Sequence, residues 1–236
     1  EVNPLYVGTT FESITGFLHY SYGAWKLEPR DASDFAGHAS PPCAGDACVP
    51  DLSAGDLIIT EVMNDVPSGD AEDHCEWIEV YNNTTGSVDL QGLGVGDDDS
   101  STGSVSTSVV VDAGSYTVLG KGSAAQWATD CPTLAAVITP SAHYGSGPNL
   151  SNGGDPVRIF QFDGTAIDET GTNITDASAA DYSMVSLDAD EGYSSELNAA
   201  PTSEEANDEA AEWCQASAEI GRSGVFGSPG AANACR

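Results

Sequence analysis

The residues that decide the fold are EWIEVYN, positions 76–82, which follow LIITEVM at positions 57–63. Both runs are rich in β-branched and aromatic residues, and a polar, acidic loop of residues 64–75 separates them. Asn, Thr and Gly come directly after the second run, a composition typical of a turn. The two runs therefore predict neighbouring antiparallel strands. Apolar side chains alternate onto both faces of residues 76–82, which predicts a central strand with one face in the core.

Further short strand candidates follow this pair, with turn residues between them. They are residues 87–90, 92–96, 108–111, 115–120, 156–162, 165–168 and 181–187. The dipeptide Asp163-Gly164 is the strongest hairpin signal in the chain. Many short strands with regular turns predict an all-β sandwich or barrel. Helix is expected at two places only: one short turn at most in residues 124–130, and a short helix or acidic arm in residues 203–215.

The N-terminal part differs in composition and predicts three segments. Residues 1–35 form a β-hairpin segment, with strands in residues 11–22 and 24–30 around a turn at Gly23. Residues 36–53 are a Pro- and Cys-containing linker, and residues 54–236 are the main domain. An isolated hairpin is only marginally stable in water, so the many aromatic residues of this segment are expected to pack on another part of the protein or on another chain.

The charge balance limits the partners of this chain. It has 6 Lys and Arg against 37 Asp and Glu, a net charge of −31. Such a charge opposes binding to nucleic acid or to an anionic membrane surface, since both are polyanions. No apolar run reaches the roughly 18 residues that a membrane-spanning helix needs. We therefore expect no nucleic-acid binding by this chain alone and no membrane insertion.

The six cysteines predict disulfides and hence an extracellular or cell-surface location. No CxxC pair with a matching partner is present, which argues against zinc. Cys43 and Cys48 are close enough in sequence to close a short loop. The other four cysteines allow three pairings, of which we favour Cys75–Cys131 with Cys214–Cys235.

Acidic loops are the main candidates for metal binding. Asp97, Asp98 and Asp99 lie together in a turn, and two further groups are Asp65, Asp70, Glu72 and Asp73, and Asp188, Asp190 and Glu191. Calcium takes roughly six to eight oxygen ligands, which such loops can supply. None of them follows the EF-hand spacing, and the favoured interpretation is that they are solvated. Calcium is the one cofactor considered, and otherwise none is expected.

The sequence gives little indication of a histidine metal site or of nucleophilic catalysis. The four histidines lie in separate segments without the spacing of metal ligands, and no GxSxG nucleophile elbow is present. His74 and Cys75 are adjacent, so their side chains would point apart on a strand. We therefore predict no catalytic residues and a protein that is not an enzyme.

The ordered motifs resemble the lamin-tail domain, an immunoglobulin-like β-sandwich of nuclear lamins and of secreted or surface bacterial proteins. The resemblance covers residues 54–234 and rests on six motifs: LIITEVM at 57–63, EWIEVYN at 76–82, VDLQGL at 88–93, VDAGSY at 111–116, NLSNGGDPVRI at 149–159 and GSPGAAN at 227–233. It implies an accessory or interaction module, and the family has no shared catalytic residues. Residues 11–35 also resemble, over a short stretch, the end of an OB-fold module.

Two functions follow as hypotheses. The first is a non-enzymatic, secreted or cell-surface structural protein, whose partner is a protein. Residues 1–35 would mediate self-association into a filament or array by strand exchange, because exposed strand edges recruit other strands. The alternative is the C-terminal accessory portion of a secreted nuclease or phosphodiesterase, with catalysis elsewhere in that protein.

Overall fold

A computed structural model of the chain describes residues 10–37, 43–98, 101–172, 183–184, 189–198, 200–221 and 224–234. The chain divides into two compact units, residues 1–42 and 43–236. Residues 36–53 were predicted to be a linker, but they contribute strands to both units. The second unit already includes Ala47–Cys48, because this segment pairs with a strand of the sandwich.

Unit 1 is a hairpin closed at its base by a short ladder. Its strands are β1 (Ser13–Ile14), β2 (Phe17–Ser21), β3 (Ala24–Glu28) and β4 (Phe35–Ala36), with a 3-10 helix at Ala32–Asp34 before β4. β2 and β3 pair antiparallel, and β1 pairs with β4. Tyr22 and Gly23 connect the hairpin with φ values of 52° and 78°, the two positive values that a type I′ hairpin turn requires. The predicted hairpin is confirmed.

Unit 2 contains fifteen of the described strands and three short α-helices. The strands are β5 (Ala47–Cys48), β6 (Leu57–Met63), β7 (Trp77–Asn82), β8 (Val88–Asp89), β9 (Gly94–Gly96), β10 (Thr102–Ser104), β11 (Val110–Val111), β12 (Tyr116–Gly120), β13 (Ala142–His143), β14 (Arg158–Phe160), β15 (Ala166–Glu169), β16 (Gly171–Thr172), β17 (Ser183–Met184), β18 (Ser195–Leu197) and β19 (Trp213–Gln215). The helices are α1 (Glu72–Cys75), α2 (Ala124–Asp130) and α3 (Pro132–Ala135), and 3-10 turns lie at Val49–Asp51, Glu204–Asn207 and Ala210–Glu212.

Two layers of sheet enclose the main core. The larger sheet has the order β13-β12-β7-β6-β18-β19, and the facing strands form sheets of order β10-β9-β14-β15 and β11-β8-β5. β7 lies in the middle of the larger sheet, as its apolar character on both faces predicts. Ile78 and Val80 of β7 pack in the core with Ile59 and with residues of the facing sheets such as Ile159. The expected β-sandwich is thereby confirmed.

A second hydrophobic cluster covers the outer face of the larger sheet. It joins Met63 and Trp77 of the sheet to Trp127 and Leu134 of the helices, and the buried half-cystines are part of it. The prediction of one short turn at most in residues 124–130 was wrong, because α2 spans all seven of these residues. Ser123 caps this helix by accepting the N–H of Gln126, and the burial of Trp127 anchors it against the sheet.

The ladder between β6 and β7 contains one irregularity, which positions the buried carboxyl groups described in the next subsection. Ile59 pairs with Val80, whereas Glu61 pairs with Glu79, so the register shifts by one residue at Thr60. A bulge of this kind turns the following side chains onto the opposite face. Glu61 and Glu79 consequently lie side by side on the outer face of the larger sheet, while Ile59 and Val62 both face the main core.

The C-terminal part of unit 2 differs from prediction in its details. Residues 203–215, expected as a helix or acidic arm, form two 3-10 turns followed by β19. Of the strand predicted at residues 181–187, only Ser183–Met184 lies within the described residues. Across the parts of the chain that the structure describes, no helix is both long and apolar enough to cross a membrane.

Candidate interaction surface and buried carboxylate cluster

The hairpin of unit 1 has one predominantly apolar face. Leu18 pairs with Leu27 and Tyr20 pairs with Trp25, and positions two apart on a strand share a face. These four side chains therefore form one continuous patch, called here the apolar hairpin face. Their exposed fractions are 67% for Leu18, 46% for Leu27, 57% for Tyr20 and 67% for Trp25. The rings of Tyr20 and Trp25 lie 5.1 Å apart, centroid to centroid.

The opposite face of the hairpin is mostly polar. It presents His19, Lys26 and Glu28, of which His19 Nδ1 and Glu28 Oε1 are 2.8 Å apart. Phe17 is the large apolar residue on this side, and the guanidinium of Arg30 lies 6.0 Å from its ring centroid. The hairpin is thus amphipathic, although both of its faces include exposed residues.

An ion pair holds the base of the hairpin. The guanidinium of Arg30 donates to both carboxylate oxygens of Asp34, at 2.9 and 2.5 Å, and the backbone N–H of Arg30 donates to the same carboxylate at 2.7 Å. These side-chain and backbone hydrogen bonds from Arg30 hold the pKa of Asp34 well below its usual range. The pair keeps the returning strand next to β1, so the two ends of the hairpin segment stay together.

The fold places two aspartates of the predicted calcium loop in different environments. Asp97 is buried just after β9, whereas Asp98 is exposed. Asp97 acts on Arg158: desolvation lowers the pKa of that guanidinium, and the charges of Glu169 and Asp97 oppose the change. Asp99 lies outside the described residues. Within the described ranges no three His, Cys, Asp or Glu side chains are arranged to hold a metal ion, and calcium binding stays a prediction.

The other acidic loops contribute to the fold. Asp70 accepts the backbone N–H groups of Thr133 and Leu134 at 2.7 and 2.8 Å, and so caps the start of α3. Asp65 accepts a hydrogen bond from Asn152, and Asp190 accepts one from Gln215. Glu191 is exposed. The side chains of Glu72 and Asp73, and all of Asp188, lie outside what the structure describes.

Two of the three predicted disulfides are present. Cys43 is bonded to Cys48, and Cys75 to Cys131. His74, the neighbour of Cys75, pairs with Asp130, with Nδ1 and Oδ2 2.7 Å apart. Cys214 is also disulfide-bonded, but Cys235, its predicted partner, lies outside the described residues. The Cys214–Cys235 pairing stays a prediction.

A cluster of three buried glutamates lies on the outer face of the larger sheet. Glu61 on β6, Glu79 on β7 and Glu196 on β18 each have no exposed surface. Two hydroxyls donate to them: Thr60 Oγ1 of β6 to Glu79 at 2.8 Å, and Ser194 Oγ, just before β18, to Glu61 at 2.5 Å. Buried carboxyl groups need such partners.

The segment 227–234 covers this cluster and completes its hydrogen bonds. The N–H of Ser228 donates to Glu61 at 2.9 Å, its hydroxyl to Glu196 at 2.8 Å, and the N–H of Gly230 to Glu79 at 2.5 Å. The side-chain amide of Asn233 donates to the carbonyl of Thr60 at 2.6 Å. The GSPGAAN motif is therefore a clamp that joins the end of the described chain to the bulge in β6.

Burial controls the protonation of two of these glutamates. It raises the pKa of Glu61 to about 8, an effect that the charge of Glu196 reinforces and hydrogen bonds from Ser194 and Ser228 oppose. It raises the pKa of Glu79 to about 9, reinforced by the charge of Glu61. The described hydrogen bonds to Glu61 and Glu79 come from Ser and Thr hydroxyls and from backbone N–H groups. At neutral pH we expect both Glu61 and Glu79 to be protonated.

Sequence reasoning missed this cluster. Glu61 stands inside an otherwise apolar strand, LIITEVM, and that position is the available signal: a buried strand rarely carries an acidic residue without a partner. The partner is distant in sequence, since Ser228 is 167 residues from Glu61. Local patterns cannot supply such a pairing.

One comparison with known proteins identifies the family. The family model described as Lamin Tail Domain matches residues 50–173, which is more than half of the 236 residues. A search of curated proteins finds no match. The matched region runs from the 3-10 turn before β6 to the end of β16, and so includes both layers of the sandwich. The chain therefore belongs to the lamin tail domain family, and unit 2 carries its immunoglobulin-like fold.

Proposed function

We propose that this protein is a non-enzymatic structural protein of the cell exterior, in which the lamin tail domain is a stable scaffold and unit 1 joins one copy to another. The observation that carries the proposal is the apolar hairpin face. Leu18, Tyr20, Trp25 and Leu27 are each at least 46% exposed, and contiguous exposed apolar patches are typical of protein interaction sites.

The edges of the hairpin support a second copy as the occupant. Among the described residues, β2 and β3 pair only with each other, so each strand retains one edge of backbone N–H and C=O groups. Edges of this kind add strands from another chain. Two copies of the hairpin would pair their edges and bring their apolar faces into one layer.

Charge also favours this part of the molecule for contact between copies. Residues 10–37 carry four acidic and two basic side chains, a net charge of −2, whereas the whole chain has −31. Repulsion between the strongly acidic remainders opposes association, and salt screens such repulsion. Self-association through unit 1 is therefore expected to strengthen as the ionic strength rises.

The location outside the cell is supported by the disulfides. Cys75–Cys131 and Cys43–Cys48 are both formed, and stable disulfides are characteristic of oxidising compartments. The alternative, an accessory portion of a secreted nuclease or phosphodiesterase, has no observation in its favour among the described residues.

The proposal predicts that Trp25→Ser weakens self-association. The full chain would be studied by sedimentation velocity over a range of concentrations, at low and high salt. Loss of a central aromatic anchor is expected to raise the dissociation constant by about tenfold or more.

Phe17→Ser is the matched control. Phe17 is 66% exposed against 67% for Trp25, but it lies on the opposite face of the same hairpin. This variant is expected to associate like the unmodified chain. A chain that stays monomeric at every concentration and salt level would refute the proposal, and equal effects of the two variants would refute the assignment to the apolar hairpin face.

A further inference from the structure

Lys121 is a lysine without contact with solvent. It follows β12, and its side chain is 0% exposed, as against 3% for the side chain of its partner Glu76. The two residues are also neighbours through the backbone, since the N–H of Lys121 donates to the carbonyl of Glu76 at 3.0 Å. Their side chains are thus fixed at adjacent positions beyond the paired ends of β7 and β12.

Two side chains surround the amine. Lys121 Nζ lies 3.0 Å from Glu76 Oε2, and it also contacts Oδ1 of the Asn149 carboxamide. Glu76 Oε2 accepts the backbone N–H of Leu150 at 3.1 Å, which fixes the loop that carries Asn149. An amine, a carboxamide and a carboxyl group therefore meet at one point.

A proton transfer within the Lys121–Glu76 pair produces an uncharged amine next to Asn149. Separated charges are costly in a low-dielectric interior, and moving one proton from Nζ to Oε2 converts the Lys121–Glu76 ion pair into an amine and a carboxylic acid without changing the net charge. An unprotonated amine is a nucleophile, and the carbon next to Oδ1 of Asn149 is the electrophile it already approaches.

We propose that Lys121 and Asn149 form an intramolecular isopeptide bond, with Glu76 as the proton carrier. Glu76 takes a proton from the Lys121 ammonium, and the lone pair of Nζ attacks Cγ of Asn149. Glu76 then delivers a proton to the amide nitrogen of Asn149, the Cγ–N bond breaks, and ammonia leaves. Nζ returns its extra proton to the Glu76 carboxylate, so the products are a secondary amide between Nζ and Cγ, ammonia and a protonated Glu76. No oxidant, reductant or cofactor is needed.

The fold supplies what this reaction requires. Holding the amine against the carboxamide replaces a bimolecular encounter with an intramolecular one, which lowers the barrier substantially. The amine is enclosed, whereas Asn149 is exposed on its other side, so ammonia has a route to solvent. Tyr144 lies in the same buried region: burial raises the pKa of its hydroxyl, and the charge of Glu76 raises it further. That hydroxyl has no hydrogen-bond partner in the described structure.

The bond would join the two layers of the sandwich. Lys121 directly follows β12 of the larger sheet, and Asn149 lies on the segment that leads into β14 of the facing sheet. A covalent link here would constrain the chain independently of both observed disulfides, and it would survive reduction.

The test is the mass of the full chain, purified in its native state and then fully reduced. We expect the mass to be below that of the sequence by one molecule of ammonia. After reduction and digestion with chymotrypsin, which cuts at aromatic residues such as Trp127 and Tyr144, the peptides that contain Lys121 and Asn149 should remain joined. A full sequence mass would overturn the proposal and leave a hydrogen-bonded ion pair. Loss of ammonia confined to a linear peptide with Asn149 would also overturn it, since that result indicates a succinimide.

Three variants assign the groups. Lys121→Arg and Asn149→Ala each remove a reacting atom, so both should have the full mass of their sequences, and Glu76→Gln should lose most or all of the cross-link. Asn152→Ala, in the same loop but bonded to Asp65, should retain the loss of ammonia. The measurement on the unmodified chain decides the proposal even if a variant fails to fold.

Discussion

The free energy of unfolding is expected to fall by several kcal/mol as the pH rises from about 5 to about 9, because Glu61 and Glu79 hold their protons in the folded state. Burial raises the pKa of Glu61 to about 8 and that of Glu79 to about 9, from an ordinary value of 4.5. In the unfolded chain both carboxyl groups ionise near the ordinary value. At pH values between the ordinary and the raised pKa, the folded state binds more protons than the unfolded state does.

The direction of the effect follows from this difference. Each group contributes its full stabilisation below the ordinary pKa, and it loses that contribution as the pH approaches the raised value. The loss amounts to at most about 1.4 kcal/mol for each pH unit and each group. Above the raised values the slope ends, because both states are then ionised.

Denaturant unfolding at a series of pH values and constant ionic strength would measure the slope. Glu79→Gln keeps the shape of the side chain and removes its ionisation, so the variant should have a shallower dependence and should be the more stable protein near pH 9. Glu209→Gln makes the same chemical replacement at an exposed position and should leave the slope nearly unchanged. If both variants retain the slope of the unmodified chain, the protons are bound elsewhere.

Loss of the Cys75–Cys131 disulfide is expected to destabilise the protein by about 4 kcal/mol, from the entropy of closing a loop of this length in the unfolded chain. The two cysteines are separated by 56 positions, and both are buried in the cluster that attaches α2 and α3 to the larger sheet. The double variant Cys75→Ala/Cys131→Ala would also leave a cavity there, which adds to the loss.

The second disulfide provides the comparison. Cys43 and Cys48 are only 5 positions apart, so the same relation gives about 2 kcal/mol for Cys43→Ala/Cys48→Ala. Thermal unfolding of both double variants would measure the difference, and hydrogen exchange should show loss of protection in α2 for the first variant alone. A larger loss of stability in Cys43→Ala/Cys48→Ala than in Cys75→Ala/Cys131→Ala would contradict the argument from loop length.

The main features of the sandwich could be predicted from local sequence. EWIEVYN has apolar side chains on both faces and lies at the centre of the larger sheet, and Asp163-Gly164 forms the turn between β14 and β15 as expected. Helices were underestimated for a physical reason. α3 has four residues, far below the length at which an isolated helix is stable, and it depends on Asp70, on Cys131 and on packing against the sheet.

The sites were less accessible to prediction because their members are distant along the chain. The apolar hairpin face follows from alternation in residues 17–28 and was predicted as an interaction segment. The glutamate cluster and the contact between Lys121 and Asn149 depend on which residues the register brings together. The sequence analysis did not single out Lys121, and only the tertiary structure places it beside Glu76 and Asn149.

The extra residue in β6 has a consequence for insertions and deletions in this strand. With Thr60 present, Ile59 and Val62 both reach the core and Glu61 stands beside Glu79. Removing Thr60 would straighten the ladder and leave strict alternation, in which Ile59 and Val62 still face the core and Glu61 still stands beside Glu79. The side chain lost would be the hydroxyl that donates to Glu79, and not a core residue. We therefore expect a frame-preserving loss of codon 60 to keep the sandwich and to weaken only the hydrogen bonding of the buried glutamates.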